Sequence, residues 1–209
     1  MPADGSRRMY AGVPEEARRA ERRQKLVAAT LDAVGEGGVV ALTVGAVSAR
    51  AGVAKRYFYE SFDSLDALLS ATLQEVFDRV GEAIASTAVR ADATPEGLVR
   101  VAVAGAIDAM DDPRVARLYL ESAGNPALLA TRDRAVEGFV DQLLLQVAGG
   151  KVIDPRDRVT GHLLVSGSTH VVALWLQGRL DLTRDELIAH MVDLGAHAAV
   201  RIGDRGAEA

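Results

Sequence analysis

Four prolines in this chain stand directly behind a residue that caps helices: Thr94-Pro95, Asp112-Pro113, Asn125-Pro126 and Asp154-Pro155. A Thr, Asp or Asn side chain accepts a first-turn amide that has no partner in the helix. Proline in the next place has φ preset for the helix and no N–H to leave unpaired. Pro14 before Glu15-Glu16 marks another start, Asp63-Ser64-Leu65-Asp66 opens one in similar style, and Thr183-Arg184-Asp185-Glu186 is a capping box. Between these starts the apolar period is near 3.6, as in Leu26, Ala29 and Ala33 with Thr30 nearby, or Leu187, Met191, Leu194 and Ala198. The pattern predicts about nine helices, over 15–35, 43–50, 54–60, 63–89, 95–110, 113–122, 126–148, 155–178 and 184–202. Val39-Val40-Ala41-Leu42 is β-prone but too short and isolated to make a sheet. The expected fold class is all-α, with a flexible arm over 1–14, a small helical domain over 15–62 and a larger helical body over 63–209.

Composition narrows the function classes. With 49% apolar and 25% charged residues among 209, a buried core is available. There is no cysteine, which removes disulfides, thiolate metal sites and a Cys nucleophile. MPADGSRRMY has no apolar stretch behind its arginines, and Val171–Leu176, the longest apolar run of the C-terminal half, is too short to span a bilayer. A cytoplasmic protein without a membrane segment is the expectation. The net charge of −5 is unevenly divided: residues 1–60 hold ten Lys/Arg against seven Asp/Glu, a balance of +3, and residues 61–209 hold fourteen against twenty-two, −8. That asymmetry suits a basic head on an acidic body.

The head can be read locally. Thr43 to Arg50 forms a short helix with Thr43 as its N-cap and Val44 and Val47 facing inward. Gly52 supplies the positive φ of a tight turn, and Ala54-Lys55-Arg56-Tyr57-Phe58-Tyr59 forms a second short helix. Two short helices about a Gly-bearing turn make a helix-turn-helix, whose second helix fits a DNA major groove. Of nine aromatic residues, four fall between 57 and 62. Phe58 and Phe62 are expected in the core, with Tyr57 and Tyr59 turned away beside Lys55 and Arg56. Tyr hydroxyls suit phosphate, and Lys or Arg suits phosphate or a guanine edge. Taken alone, this string reads rather as core aromatics beside a solvated basic pair.

The string is not alone. Leu42-Thr43-Val44, Val47, Ala51-Gly52-Val53-Ala54-Lys55, Phe58-Tyr59, Phe62, Ser64 and Ala67-Leu68-Leu69, with Arg23, Leu26, Ala29 and Gly38 upstream, resemble the N-terminal signature of the TetR family of regulators. The strong resemblance covers about residues 20–70. It implies a homodimeric regulator that binds double-stranded DNA at a palindromic operator, with Thr43 and Tyr59 at phosphates and Lys55, Arg56 and Tyr57 on the recognition helix. It further implies a four-helix dimer interface from the last two helices, and a repressor released by a small, largely apolar effector. The departures are Ala46 where an acid would complete a capping box, Ser61 for an aromatic, Leu65 for a lysine, Arg56 for glycine and Val34 for Phe. They predict weaker anchoring by the fourth helix and a larger role for Arg56. Arg18, Arg19, Arg22, Arg23 and Lys25 make a basic start to the first helix, and Arg7 and Arg8 in the arm are candidates for the minor groove.

In the body, His162, Ser166 and Thr169 fall on one face with Val159 and Ala173, and Leu164, Val171 and Trp175 on the other. With Phe77, Met110, Tyr119 and Phe139 that stripe is the candidate lining of an apolar ligand pocket. A satisfied core histidine, with Gly161, Gly167 and Ser168 allowing close packing, is the competing reading. The last helix is apolar on two adjoining faces, Leu187/Met191/Leu194 and Ile188/Val192/Ala199, and so needs two partners. No cofactor is expected. The four histidines have no HExxH spacing and no Gly-rich loop follows a strand, which argues against an enzyme. A ligand-independent DNA-binding protein of the same fold, acting through protein contacts or assembly, is the alternative.

Overall fold

A computed structural model describes residues 15–88, 94–148 and 153–205. Among these, nine α-helices and no strand are found: α1 (Glu15–Gly37), α2 (Val44–Ala51), α3 (Lys55–Ser61), α4 (Leu65–Ala88), α5 (Pro95–Ala109), α6 (Pro113–Glu121), α7 (Pro126–Ala148), α8 (Pro155–Leu176) and α9 (Arg184–Arg205). The all-α expectation holds, and Val39–Ala41 is one 3-10 turn. The arm with Arg7 and Arg8 lies outside the described residues.

The proline starts form as their chemistry requires. Thr94 Oγ1 accepts from Gly97 N at 3.1 Å, Asp112 from Arg114 N at 2.9 Å, and Asp154 from Arg156 N at 2.7 Å. Asn125 Oδ1 takes both Ala127 N and Leu128 N, at 2.9 and 3.0 Å. The capping box at α9 closes in both directions, Thr183 N to Glu186 Oε2 at 2.9 Å and Glu186 N to Thr183 Oγ1 at 3.3 Å.

Two main cores divide the molecule. One unites Leu26, Val34, Val47, Phe58 and Phe62 of the head with Leu68, Leu69 and Leu73 of α4, and takes in Leu118 and Leu128 from the body. The other joins Val76 of α4 to Ile107, Met110, Val115, Tyr119, Val172, Leu187 and Val192. α4, which begins at Leu65, is built into both cores.

α6 fastens the body to the head through polar contacts. Arg114 pairs with Asp32 of α1. Arg117 donates to Gly35 O at 3.1 Å and to Glu121 at 2.7 Å, and Glu121 in turn accepts Val39 N–H at 2.6 Å. Gly38, at φ 78° and ψ 172°, lets the chain turn beneath this cluster. Burial pushes the Glu121 carboxyl up, but Arg117 and the Val39 N–H outweigh it and hold the group below the ordinary Glu value.

Candidate nucleic-acid interface

The turn between α2 and α3 is set by Gly52 in the left-handed region, at φ 64° and ψ 28°, with its N–H on Ala49 O and Val53 N–H on Ser48 O. α2 begins at Thr43, whose Oγ1 accepts from Ala46 N at 3.1 Å. That is half a capping box, since Ala46 has nothing to return. Phe58 and Phe62 are buried with ring centroids 6.2 Å apart, and Val47 is fully buried beside them.

Lys55, Arg56 and Tyr59 are exposed on α3, and Thr43 is exposed at the head of α2. The Lys55 side chain folds toward the start of α2. A Cβ built on Gly45 would lie 3.4 Å from Lys55 Cε, 3.5 Å from Nζ and 3.9 Å from Thr43 Oγ1. A hydroxyl, an ammonium and the N-terminal end of α2 thus meet at one exposed point. Amide dipoles and a lysine at one spot favour an anion with phosphate's geometry.

Tyr57 differs from expectation. It is half-buried against the head's core, between the Arg22 guanidinium 5.0 Å from its ring centroid and that of Arg56 at 4.4 Å. Arg56 Nη2 also donates to the Tyr57 hydroxyl at 2.5 Å. Residues on α1 produce this difference, and spacing within α3 alone could not show it. Arg23 acts similarly: it sits 4.1 Å above the Phe62 ring and donates to Ser61 O. Arg22 and Arg23 are therefore positioning residues for α3 that a reading of the basic run as one surface misses. Their spacing, one turn and less from Leu26, was the available signal. The departures also find places. Ser61 is buried with its hydroxyl on Tyr57 O at 2.9 Å, and Leu65 packs on the head core where a lysine would face outward.

The candidate pocket residues are spread over α4 to α8. Met110 and Tyr119 are buried in the second core, with Phe77 half-buried against it. Phe77 and Phe139 meet edge to face at 6.3 Å. The Tyr119 hydroxyl donates to Thr169 O at 2.8 Å, while the Thr169 hydroxyl turns back to Ser166 O. His162 Nε2 lies 3.6 Å from Glu137 on α7. The expected inward stripe is split: Ser166 is exposed, as is Val159, because α8 presents the face Val159, Leu163, Ser166, His170 outward. Two clefts of about 290 and 330 Å³ lie elsewhere, one between α1, α2 and α6 beside Asp32, Arg50 and Arg114, the other beside Glu96, Arg100, Asp193 and His197.

The geometry of the head defines a helix-turn-helix DNA-binding protein with an all-helical body. Residues 26–72 match the family model described as bacterial regulatory proteins, tetR family. That likeness covers the helix-turn-helix head and the first part of α4. A curated relative, the HTH-type transcriptional regulator BetI of Serratia proteamaculans (strain 568), is 34% identical over 88 residues, which span 42% of this chain and 44% of that relative. Solved structures share the fold of the whole. A TetR-family regulator structure from Syntrophomonas wolfei superposes with TM-score 0.72 at 15% identity, covering 87% of this chain and 96% of the other. The fatty acid degradation regulator FadR of Bacillus halodurans gives 0.69 at 18%, covering 84% and 94%. A transcriptional regulator structure from Pseudomonas aeruginosa PAO1 gives 0.66 at 20%, covering 93% and 98%.

Proposed function

We propose that this chain is a cytoplasmic transcriptional repressor that holds a palindromic operator as a homodimer and releases it on binding a small molecule. The observation that carries the DNA reading is the meeting of Thr43, Gly45 and Lys55 at the start of α2, beside an exposed recognition helix. Thr43 and Tyr59 serve phosphates, Lys55 the phosphate at α2, and Arg56 with the edge of Tyr57 the bases. The pairing of Arg56 with Tyr57 fixes the guanidinium before DNA arrives, which lowers the ordering cost of the contact.

The dimer reading rests on α8 and α9. α8 is long and apolar enough by length and composition to cross a membrane, yet only 11% of its most apolar window is buried. Val159 is 60% exposed, Leu163 72% and, on α9, Leu194 59%. Large apolar side chains left exposed on both helices support an interface there. A second copy related by a two-fold axis covers it and sets the recognition helices about 34–36 Å, or a multiple of that, apart. The inner face of α9, with Ile188, Val192 and Ala199, is already buried within the chain.

Release requires the effector to prefer the state with mis-spaced heads. α4, shared by both cores, and α6, with its Arg114, Arg117 and Glu121 contacts to α1, link the body to the head. The candidate effector site is the region of Phe77, Met110, Tyr119, Phe139, His162 and Thr169. Ligand-independent binding is the second reading, favoured by the close packing of Met110 and Tyr119.

A gel-shift salt series on the gene's upstream region tests the DNA claim. Lys55→Ala is expected to weaken binding and reduce the salt slope by about one. Absence of salt-sensitive binding to any palindromic segment there refutes it. A thermal-shift metabolite screen separates the two readings, because a ligand at a hundred times its Kd adds about 2.7 kcal/mol of stability.

A further inference from the structure

We infer that the body is built to take a ligand with a carboxylate end and an apolar chain, its acid group held by Arg132. This rests on the effector-sensing reading above. Arg132 is half-buried on α7. Its Nη1 donates to Ser122 Oγ at 3.1 Å, its Nη2 lies 3.5 Å from the Tyr119 hydroxyl, and its guanidinium stands 4.6 Å from the Tyr119 ring centroid. No carboxylate among the described residues pairs with it. The other half-buried arginines of the body do have one: Arg117 has Glu121 and Arg184 has Asp108.

A partly desolvated guanidinium facing only neutral oxygens is costly to keep, and an incoming anion corrects it. The neighbours are already committed. Burial pushes the Tyr119 hydroxyl up, so it stays protonated and gives its proton to Thr169 O. Ser122 gives its own to Tyr119 O at 2.5 Å. Both hydroxyl oxygens are left as acceptors toward Arg132, and a guanidinium carries five N–H groups in the fork geometry that matches a carboxylate.

The apolar part follows from the same helix. Arg132, Val136 and Phe139 are spaced i, i+4, i+7 and share one face of α7 over about 10 Å. Phe139 ends that face against Phe77 and beside Gly81, whose added Cβ would lie 3.8 Å from the Phe139 ring. A chain of that length, acid at Arg132 and tail toward Phe139, matches the order of polarity along the helix.

The test uses the full-length protein with octanoate, octanamide and acetate as probes, read by thermal shift and by operator gel shift. Octanoate is expected to raise Tm, with octanamide and acetate inert at the same concentration. Arg132→Gln is expected to weaken octanoate about ten- to a hundredfold, the loss of one charge-assisted bidentate contact, with Arg132→Lys in between. Unliganded Arg132→Gln is expected to melt no lower than the wild-type protein, which an arginine kept for structure would not allow. The inference is overturned if octanamide binds as tightly as octanoate, if acetate alone reproduces the shift, if no octanoate binds, or if Arg132→Gln keeps full affinity. Octanamide binding that releases the operator leaves the sensing reading standing while this one falls. Octanoate binding at Arg132 without loosening the operator complex does the reverse.

Discussion

Gly38→Ala is expected to be far more costly than Gly52→Ala, although both glycines have positive φ. At Gly52 the backbone is in the left-handed helical region and an added Cβ meets nothing within 4 Å. The cost there is backbone alone, about 1 kcal/mol. At Gly38 the conformation, φ 78° with ψ 172°, belongs to a region essentially reserved for glycine, worth about 1–3 kcal/mol. A Cβ there would also stand 2.8 Å from Arg117 Nη2 and from both Glu121 oxygens. Those atoms are side-chain ends and can move, but moving them breaks the bonds from Val39 N–H and Arg117 Nε. With both side chains about a third exposed, that adds about 1–2 kcal/mol. The total is about 2–5 kcal/mol. Guanidinium unfolding followed by circular dichroism, at matched protein concentration, reads the difference. In a Glu121→Ala background the Glu121 part of the steric share disappears and only Arg117 remains to be moved, so the two changes must be non-additive. Equal costs for the two glycines, or strict additivity with Glu121→Ala, would refute the placement of α6 over this turn.

Three further outcomes follow from the same structure. Thr43→Ala removes the cap on α2 and is expected to cost about 1 kcal/mol in thermal unfolding, with operator affinity falling beyond that; Thr43→Ser keeps both. Glu121→Gln bears on pH: the folded group titrates below its unfolded value of about 4.3, so its contribution is present above that pH and lost as pH falls through the folded value. Melting curves of wild type and variant are thus expected to differ at neutral pH and converge in acid, and a constant gap would contradict this. Leu163→Asp on α8 is expected to give monomers by light scattering and to weaken operator binding without lowering helix content.

How much of this was legible depended on the range of each interaction. The starts of α5, α6, α7 and α8 were readable because a capping side chain, a proline and the first-turn amides are covalent neighbours. The same is true of Thr43 and Gly52, which act on amides within three residues. The core roles of Val47, Phe58 and Phe62 followed from spacing along one short helix. Tyr57 did not, because its ring is covered by Arg22 from another helix. Arg23 read as one charge in a basic run, but it is bonded to Ser61 O, 38 residues away.

The sequence by itself determined the all-α class, the helix-turn-helix and the exposure of Thr43, Lys55, Arg56 and Tyr59, since local hydrogen bonding and periodicity specify them. Only the tertiary structure decided which side of α8 faces outward, that Ser166 lies on it, and that Glu121 closes over Val39 across 82 residues. Among the described residues it also left Arg132 without a carboxylate. Helical spacing says which residues share a face but not what that face meets; that is settled by how the other helices pack, through contacts whose partners are distant in the chain.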